Sequence, residues 1–76
     1  MNKFEEKKIL ENFGFNLKIK RIKLRLSQEQ LAEKTGVSKS YVSNTELGKY
    51  NISFMNAYRL SRAVNKSIED LLNDNN

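Results

Sequence analysis

The sequence predicts an all-α domain of five helices built around a helix-turn-helix. Ser27, Ser38, Ser53 and Ser67 each stand where an N-cap residue belongs, directly ahead of a run that can form a helix. Two of these runs are separated by little more than Gly36 and Val37, a connection of three or four residues, which is the length a helix-turn-helix uses. Apolar residues recur at helical spacing around the motif, and the chain contains no Pro.

In chain order, Phe13, Leu17 and Leu24, with Ile22 as a further member, supply the apolar stripe of a first helix, and Leu26 leads it into the motif. Residues 1–11 are an N-terminal extension or the start of this helix, with Phe4, Ile9 and Leu10 available to pack on the body. Ser27 caps the second helix, and Gln30 stands three residues on, where its side chain reaches back to complete a capping box. Leu31 is its apolar residue, and Ala32 is small enough to let another helix cross nearby. Gly36 ends the helix where a left-handed backbone is usually needed.

Val37 is an apolar anchor, Ser38 a second cap, and Lys39 to Leu47 form the third helix, closed by Gly48. Ser53 caps a fourth helix from Phe54 to about Val64, with Ala57, Leu60, Ala63 and Val64 along one face and Asn65 in the helix-ending place. Ser67 caps a last helix, Ile68 to Leu72, whose first turn carries Glu69 and Asp70 at the positive end of the helix dipole. Residues 12–72 thus make one domain, and 73–76 a frayed polar tail.

Composition narrows the function. A chain of 76 residues buries only about 60% of its unfolded surface and must keep its core compact. With no Cys and no His, zinc fingers, disulfides, thiolate nucleophiles and imidazole bases are excluded. No nucleophile–base pair, metal cluster or glycine-rich phosphate loop points to an enzyme, and no cofactor is implied. There is no apolar run of about 18 residues and no signal-peptide pattern, so a cytoplasmic protein is expected. The net charge is +5, and all of it lies in residues 1–26, where eight basic residues face three acidic ones. Such a field suits the phosphate backbone of nucleic acid, with Lys20 the leading charged candidate.

The third helix gives that field a direction. Val42 and Thr45 share the face that turns back to Leu31, Ala32 and Val37, whereas Lys39, Ser40, Ser43, Asn44 and Leu47 lie on the other side. A short polar face with a basic start fits a B-DNA major groove about 12 Å wide. There Lys donates to guanine O6 and N7, and Asn pairs with adenine N6 and N7.

Residues 13–72 resemble the phage-repressor and Cro-like (XRE-type) helix-turn-helix proteins. The resemblance rests on Phe13-Gly14, Leu17 to Arg21, Leu26 to Ser43, Glu46, Gly48-Lys49, Asn51 to Ser53 and Ser67 to Leu72, in the right order and spacing. It implies a five-helix, lambda-repressor-like domain that binds double-stranded DNA. Within the family, the Asn51 to Ser53 element and the small size are similar to restriction-modification controller proteins. By this resemblance Lys39, Ser40, Ser43 and Asn44 read base edges, and Gln28, Tyr41, Lys49 and the backbone around Asn51 contact phosphates. A packed ring at the edge of the motif is the other reading for Tyr41. Arg21 and Glu46 match an ion pair that ties the first helix to the third, the other reading for Arg21 being a phosphate contact.

Four residues depart from the family pattern. Thr45 stands where Ile or Leu usually faces the core, so its hydroxyl needs an acceptor such as the carbonyl four residues back. Leu47 stands where a polar residue is usual, and the pair of changes is also read as a slightly shifted recognition helix or a Leu47 that touches a thymine methyl or a partner subunit. Arg25 replaces a Gly, which implies strain or an altered turn, and Ile52 replaces the commoner Pro.

One recognition helix reads too few base pairs to find a genomic site, so a homodimer on an inverted repeat is expected, with Ile68, Leu71 and Leu72 as its candidate interface. Transcriptional regulation, as repressor or autoregulating controller, is the function this implies. The alternative is an antitoxin or other protein-interaction module on the same fold.

Overall fold

In a computed structural model that describes residues 1–73, the chain forms α1 (Lys3–Lys23), α2 (Gln28–Thr35), α3 (Lys39–Glu46), α4 (Phe54–Ala63) and α5 (Ile68–Leu72). The described residues contain no strand. Each helix begins where a side chain relieves an orphan backbone N–H. Ser27 Oγ accepts from Gln30 N at 3.0 Å, Ser38 Oγ from Tyr41 N at 3.0 Å, Ser53 Oγ from Asn56 N at 3.2 Å and Ser67 Oγ from Asp70 N at 3.0 Å. Asn2 does the same for α1, accepting from Glu5 N at 2.9 Å in a full capping box. Residues 3–11 are therefore helical and continuous with the rest of α1.

The helix ends obey the same accounting. After α1, Arg25 N donates to the Ile22 carbonyl at 2.9 Å and Leu26 N to the Arg21 carbonyl at 3.1 Å, the paired bonds of a Schellman turn. The pattern repeats after α3 through Gly48 and Lys49, and after α4 through Asn65 and Lys66. Arg25 does not alter this turn. It takes the left-handed conformation itself, at φ 58°, beside Asn65 at φ 62° and the glycines Gly36 and Gly48 at 77° and 72°.

Phe13, Leu17, Leu31, Ala32, Val42, Ala57, Leu60, Val64 and Leu71 form the core, with Val37, Tyr41, Ile52, Ala63 and Ile68 packed against it. Several apolar residues expected inside are outside. Ile22 is exposed because Arg21, not Ile22, continues the buried Phe13–Leu17 face, and the next residue lies 100° around a helix. Leu24 is exposed because it is the C-cap of α1, where the chain leaves the helix axis. Phe4 and Ile9 are exposed because the first turns of α1 run past the body, and only Leu10 of the three is half-buried.

α1 and the end of α3 approach closely at Gly14. A Cβ on Gly14 would overlap the Thr45 carbonyl oxygen and lie 2.8 Å from the Glu46 carbonyl oxygen. On Gly48 it would lie 2.6 Å from Glu11 Cγ, so here the glycine serves close approach as well as its positive φ. At the other end of the chain, α5 is latched to α1 by side-chain amides. Asn16, buried, donates to the carbonyls of Leu71 and Asn73 at 2.8 Å each, and Asn12 to that of Leu72 at 3.0 Å. Leu71 is consequently fully buried within its own chain and is withdrawn from the candidate dimer surface. Ile68 is half-buried against the core, and Leu72 alone of the three is exposed. Asn73, the first residue of the expected polar tail, is extended and its carbonyl accepts from Asn16; 74–76 lie outside the described residues.

Candidate nucleic-acid interface

The motif is oriented by one buried polar cluster. Arg21 reaches from α1 to Glu46 at the end of α3, Nε donating to Oε2 at 2.6 Å and Nη2 to Oε1 at 3.1 Å. The same guanidinium donates through Nη1 to the Leu26 carbonyl at 2.8 Å, and Gln28 Nε2 donates to Glu46 Oε1 at 3.0 Å. With side-chain exposures of 10% for Arg21 and 3% for Glu46, this bidentate pair is shielded from water. The cluster pins α1, the start of α2 and the end of α3 to one another, and Arg21 is engaged here and not on a phosphate.

The Gln28 side chain is also committed to Glu46, so what α2 offers an anion at this end is its backbone N–H groups and dipole. Thr45 faces inward as expected, but its hydroxyl does not find the carbonyl four residues back. Among the described residues, Thr45 Oγ1 is a buried side-chain oxygen with no hydrogen-bond partner.

The outer face of α3 carries Lys39 and Ser40, both exposed, and Ser43 and Asn44, both half-buried. Lys39 Nζ lies 3.8 Å from Glu29 Oε1 across the motif, an exposed pair of little energetic weight. Asn44 is folded along its own helix, Nδ2 donating to the Ser40 carbonyl at 2.9 Å. Leu47, the C-cap, is 58% exposed at the end of this face. Tyr41 lies at the motif's edge, half-buried, its hydroxyl accepting from Asn56 Nδ2 at 3.0 Å.

Tyr50 was not singled out in the sequence. Its ring packs on Tyr41 with centroids 5.2 Å apart and planes at 48°, and its hydroxyl accepts from Asn44 Nδ2 at 3.4 Å. The only local signal was an aromatic residue two places beyond Gly48. Lys49 and Asn51 are exposed on the same α3–α4 turn.

Lys20 is not gathered into this group. Partial burial, then Lys23 and Lys66, hold its ammonium below the usual lysine range, against an opposing pull from Asp70, which places its charged neighbours around α5. Among the described residues no cluster of acidic side chains is arranged to hold a metal ion, and no helix is long and apolar enough to cross a membrane.

Two short helices about a glycine turn, the second presenting a short polar face and braced from behind by an ion pair, define a helix-turn-helix protein. The chain belongs to the helix-turn-helix family, whose model matches residues 17–71. It is 45% identical over 51 residues to an uncharacterized HTH-type transcriptional regulator of Archaeoglobus fulgidus, covering 67% of this chain and 73% of the relative. It is 33% identical over 63 residues to the control protein C.MunI of a Mycoplasma species, covering 82% and 85%. Among solved structures it superposes on the restriction-modification controller protein C.AhdI from Aeromonas hydrophila with a TM-score of 0.77, at 37% identity over 82% of this chain and 94% of that one. The chain is therefore a DNA-binding transcriptional regulator of the XRE type, not an enzyme.

Proposed function

We propose that this regulator binds a palindromic double-stranded operator as a homodimer, each protomer laying α3 in a major groove. The observation that carries this is the Arg21–Glu46–Gln28 cluster, which braces a helix whose opposite face is polar, short and accessible. Lys39, Ser40, Ser43 and Asn44 are the base readers. Asn44 either rotates its amide off the Ser40 carbonyl to pair bidentately with adenine or presents Oδ1 alone to a base amino group. Phosphates are met by the α2 N-terminus at Gln28, by Lys49 and by the backbone near Asn51, with the Tyr41 hydroxyl at the margin. Lys20 adds to the attractive field from the α5 side and has no partner role in readout. Half-sites are expected about 34–36 Å apart, one turn of B-DNA. The relatives named as controller proteins favour an autoregulating controller or repressor.

Fluorescence anisotropy with a selected palindromic duplex tests the readout. Wild type is expected to bind in a strongly salt-dependent manner, and Lys39→Ala with Asn44→Ala to lose discrimination between operator and scrambled duplex while keeping weak non-specific binding. Unchanged discrimination in the double variant would remove these residues from the readout. An absence of any preferred duplex would favour the protein-interaction alternative.

A further inference from the structure

The amide of Asn44 is engaged by the protein through its nitrogen. Nδ2 lies 2.9 Å from the Ser40 carbonyl, 3.3 Å from Ser40 Oγ and 3.4 Å from the Tyr50 hydroxyl. A backbone carbonyl accepts and never donates, so the nitrogen of the amide, not its oxygen, is the atom that must face Ser40. One amide proton goes to that carbonyl, and the second points between the two hydroxyls. Both protons are thus taken up within the protein, and Oδ1 is left to meet a ligand.

Tyr50 reaches Asn44 because the chain doubles back at the end of α3. Gly48, at φ 72°, turns the backbone, and Lys49 N donates to the Asn44 carbonyl at 2.9 Å. The turn that carries Tyr50 is therefore fastened to Asn44 itself. From the other side the Tyr50 ring is seated on Tyr41, 5.2 Å between centroids, and Tyr41 is fixed by the core and by Asn56 Nδ2 at 3.0 Å. Asn56 Oδ1 accepts in turn from Arg59 Nη1 at 3.1 Å, so a run of contacts leads from α4 to the reading face.

We propose that Tyr50 is a positioning residue for base readout: its hydroxyl keeps the amide donor of Asn44 occupied, so that Asn44 presents an acceptor alone. The inference rests on the proposed role of Asn44 as a base reader and chooses between its two modes. In the major groove a lone acceptor selects an exocyclic amino group, N6 of adenine or N4 of cytosine, over the O6 of guanine and the O4 of thymine. Bidentate pairing needs Nδ2 free for adenine N7 and selects adenine alone. The base pair under Asn44 is therefore read with a built-in degeneracy, adenine or cytosine on the contacted strand, and Tyr50 maintains it.

Competition anisotropy tests this with the selected palindromic duplex and its three variants at the base pair whose preference shifts in Asn44→Ala, changed in both half-sites. Wild type is expected to bind the adenine and cytosine duplexes alike, each about tenfold more tightly than those with guanine or thymine. Tyr50→Phe keeps the ring on Tyr41 and frees one amide proton. It is expected to raise the preference for adenine over cytosine about fivefold, the worth of one hydrogen bond. In an Asn44→Ala background the same substitution should leave the preference unchanged, which marks an effect that passes through Asn44. Circular dichroism of Tyr50→Phe should match wild type, since the residue is exposed and loses only its hydroxyl. A wild-type preference for adenine alone, or for guanine or thymine, would overturn the proposal. So would a Tyr50→Phe variant that weakens all four duplexes evenly, the signature of a phosphate contact, or one whose effect survives in Asn44→Ala. In each of these cases the role of Asn44 as a reader stands. If Asn44→Ala shifts no base pair, that role and the proposal fall together.

Discussion

At Arg25 the backbone is left-handed, φ 58°, in a turn whose two hydrogen bonds are the ones a glycine would make. A residue with a Cβ loses roughly 1–2 kcal/mol in that region, and Gly gives part of it back through its freer unfolded chain. Arg25→Gly is therefore expected to raise stability by about 0.5–1 kcal/mol in urea denaturation, with no change in slope. Thr45 carries a different cost, a buried hydroxyl without an acceptor. Thr45→Val keeps the shape and removes the polar group, and a gain of about 1 kcal/mol is expected by the same measurement. Both sites were legible in the sequence as departures from the family, because each concerns a single residue and its own backbone. What filled the space was not. At the α1–α3 crossing the missing Cβ of Gly14 makes room for the Thr45 carbonyl, and nothing within a few residues of Gly14 announces that.

Among the elements, α3 depends on α1 through one ion pair. Arg21→Ala or Glu46→Ala leaves a buried charge and is expected to cost about 3–5 kcal/mol in thermal or chemical unfolding. Arg21→Met with Glu46→Leu is expected to cost much less than either single change, because it leaves neither charge behind. Loss of DNA discrimination in that refolded double variant would mark the cluster as an orienting device.

The short α5 depends on its capping box. Hydrogen bonding from Ser67, backbone first, holds the Asp70 carboxyl below the usual carboxylate range. Its contribution is thus present above the unfolded value of about 4 and is lost as pH falls through the lower folded value. Stability should fall on acidification below about pH 4, and Asp70→Asn should flatten that slope in urea midpoints measured across the window. The helices themselves were legible because Ser27, Ser38, Ser53 and Ser67 act within three residues of their own positions. The Asn12 and Asn16 latch was not, since its acceptors lie more than fifty residues away in sequence: the separation from Asn16 to Leu71 is 55.

For the molecule as a whole, the leading basic candidate for backbone contact and the reading face occupy different places. The net +5 resides in residues 1–26, yet Lys20 lies near Lys66 and Asp70 by α5, while α3 presents mostly neutral hydroxyl and amide groups. Charge sign could be read from composition, but its position depends on how α1 is rotated about its axis, which only the packing of Phe13, Leu17 and Arg21 decides. The central claim is that α3, braced by Arg21 and Glu46, reads a twofold-symmetric site. Selection of bound duplexes from a random pool at moderate salt tests it most directly. The expected result is an enriched inverted repeat with half-sites about 10 base pairs apart, with a half-site preference that shifts in Asn44→Ala. Enrichment of no sequence, or of one unshifted by Asn44→Ala and lacking twofold symmetry, would contradict it.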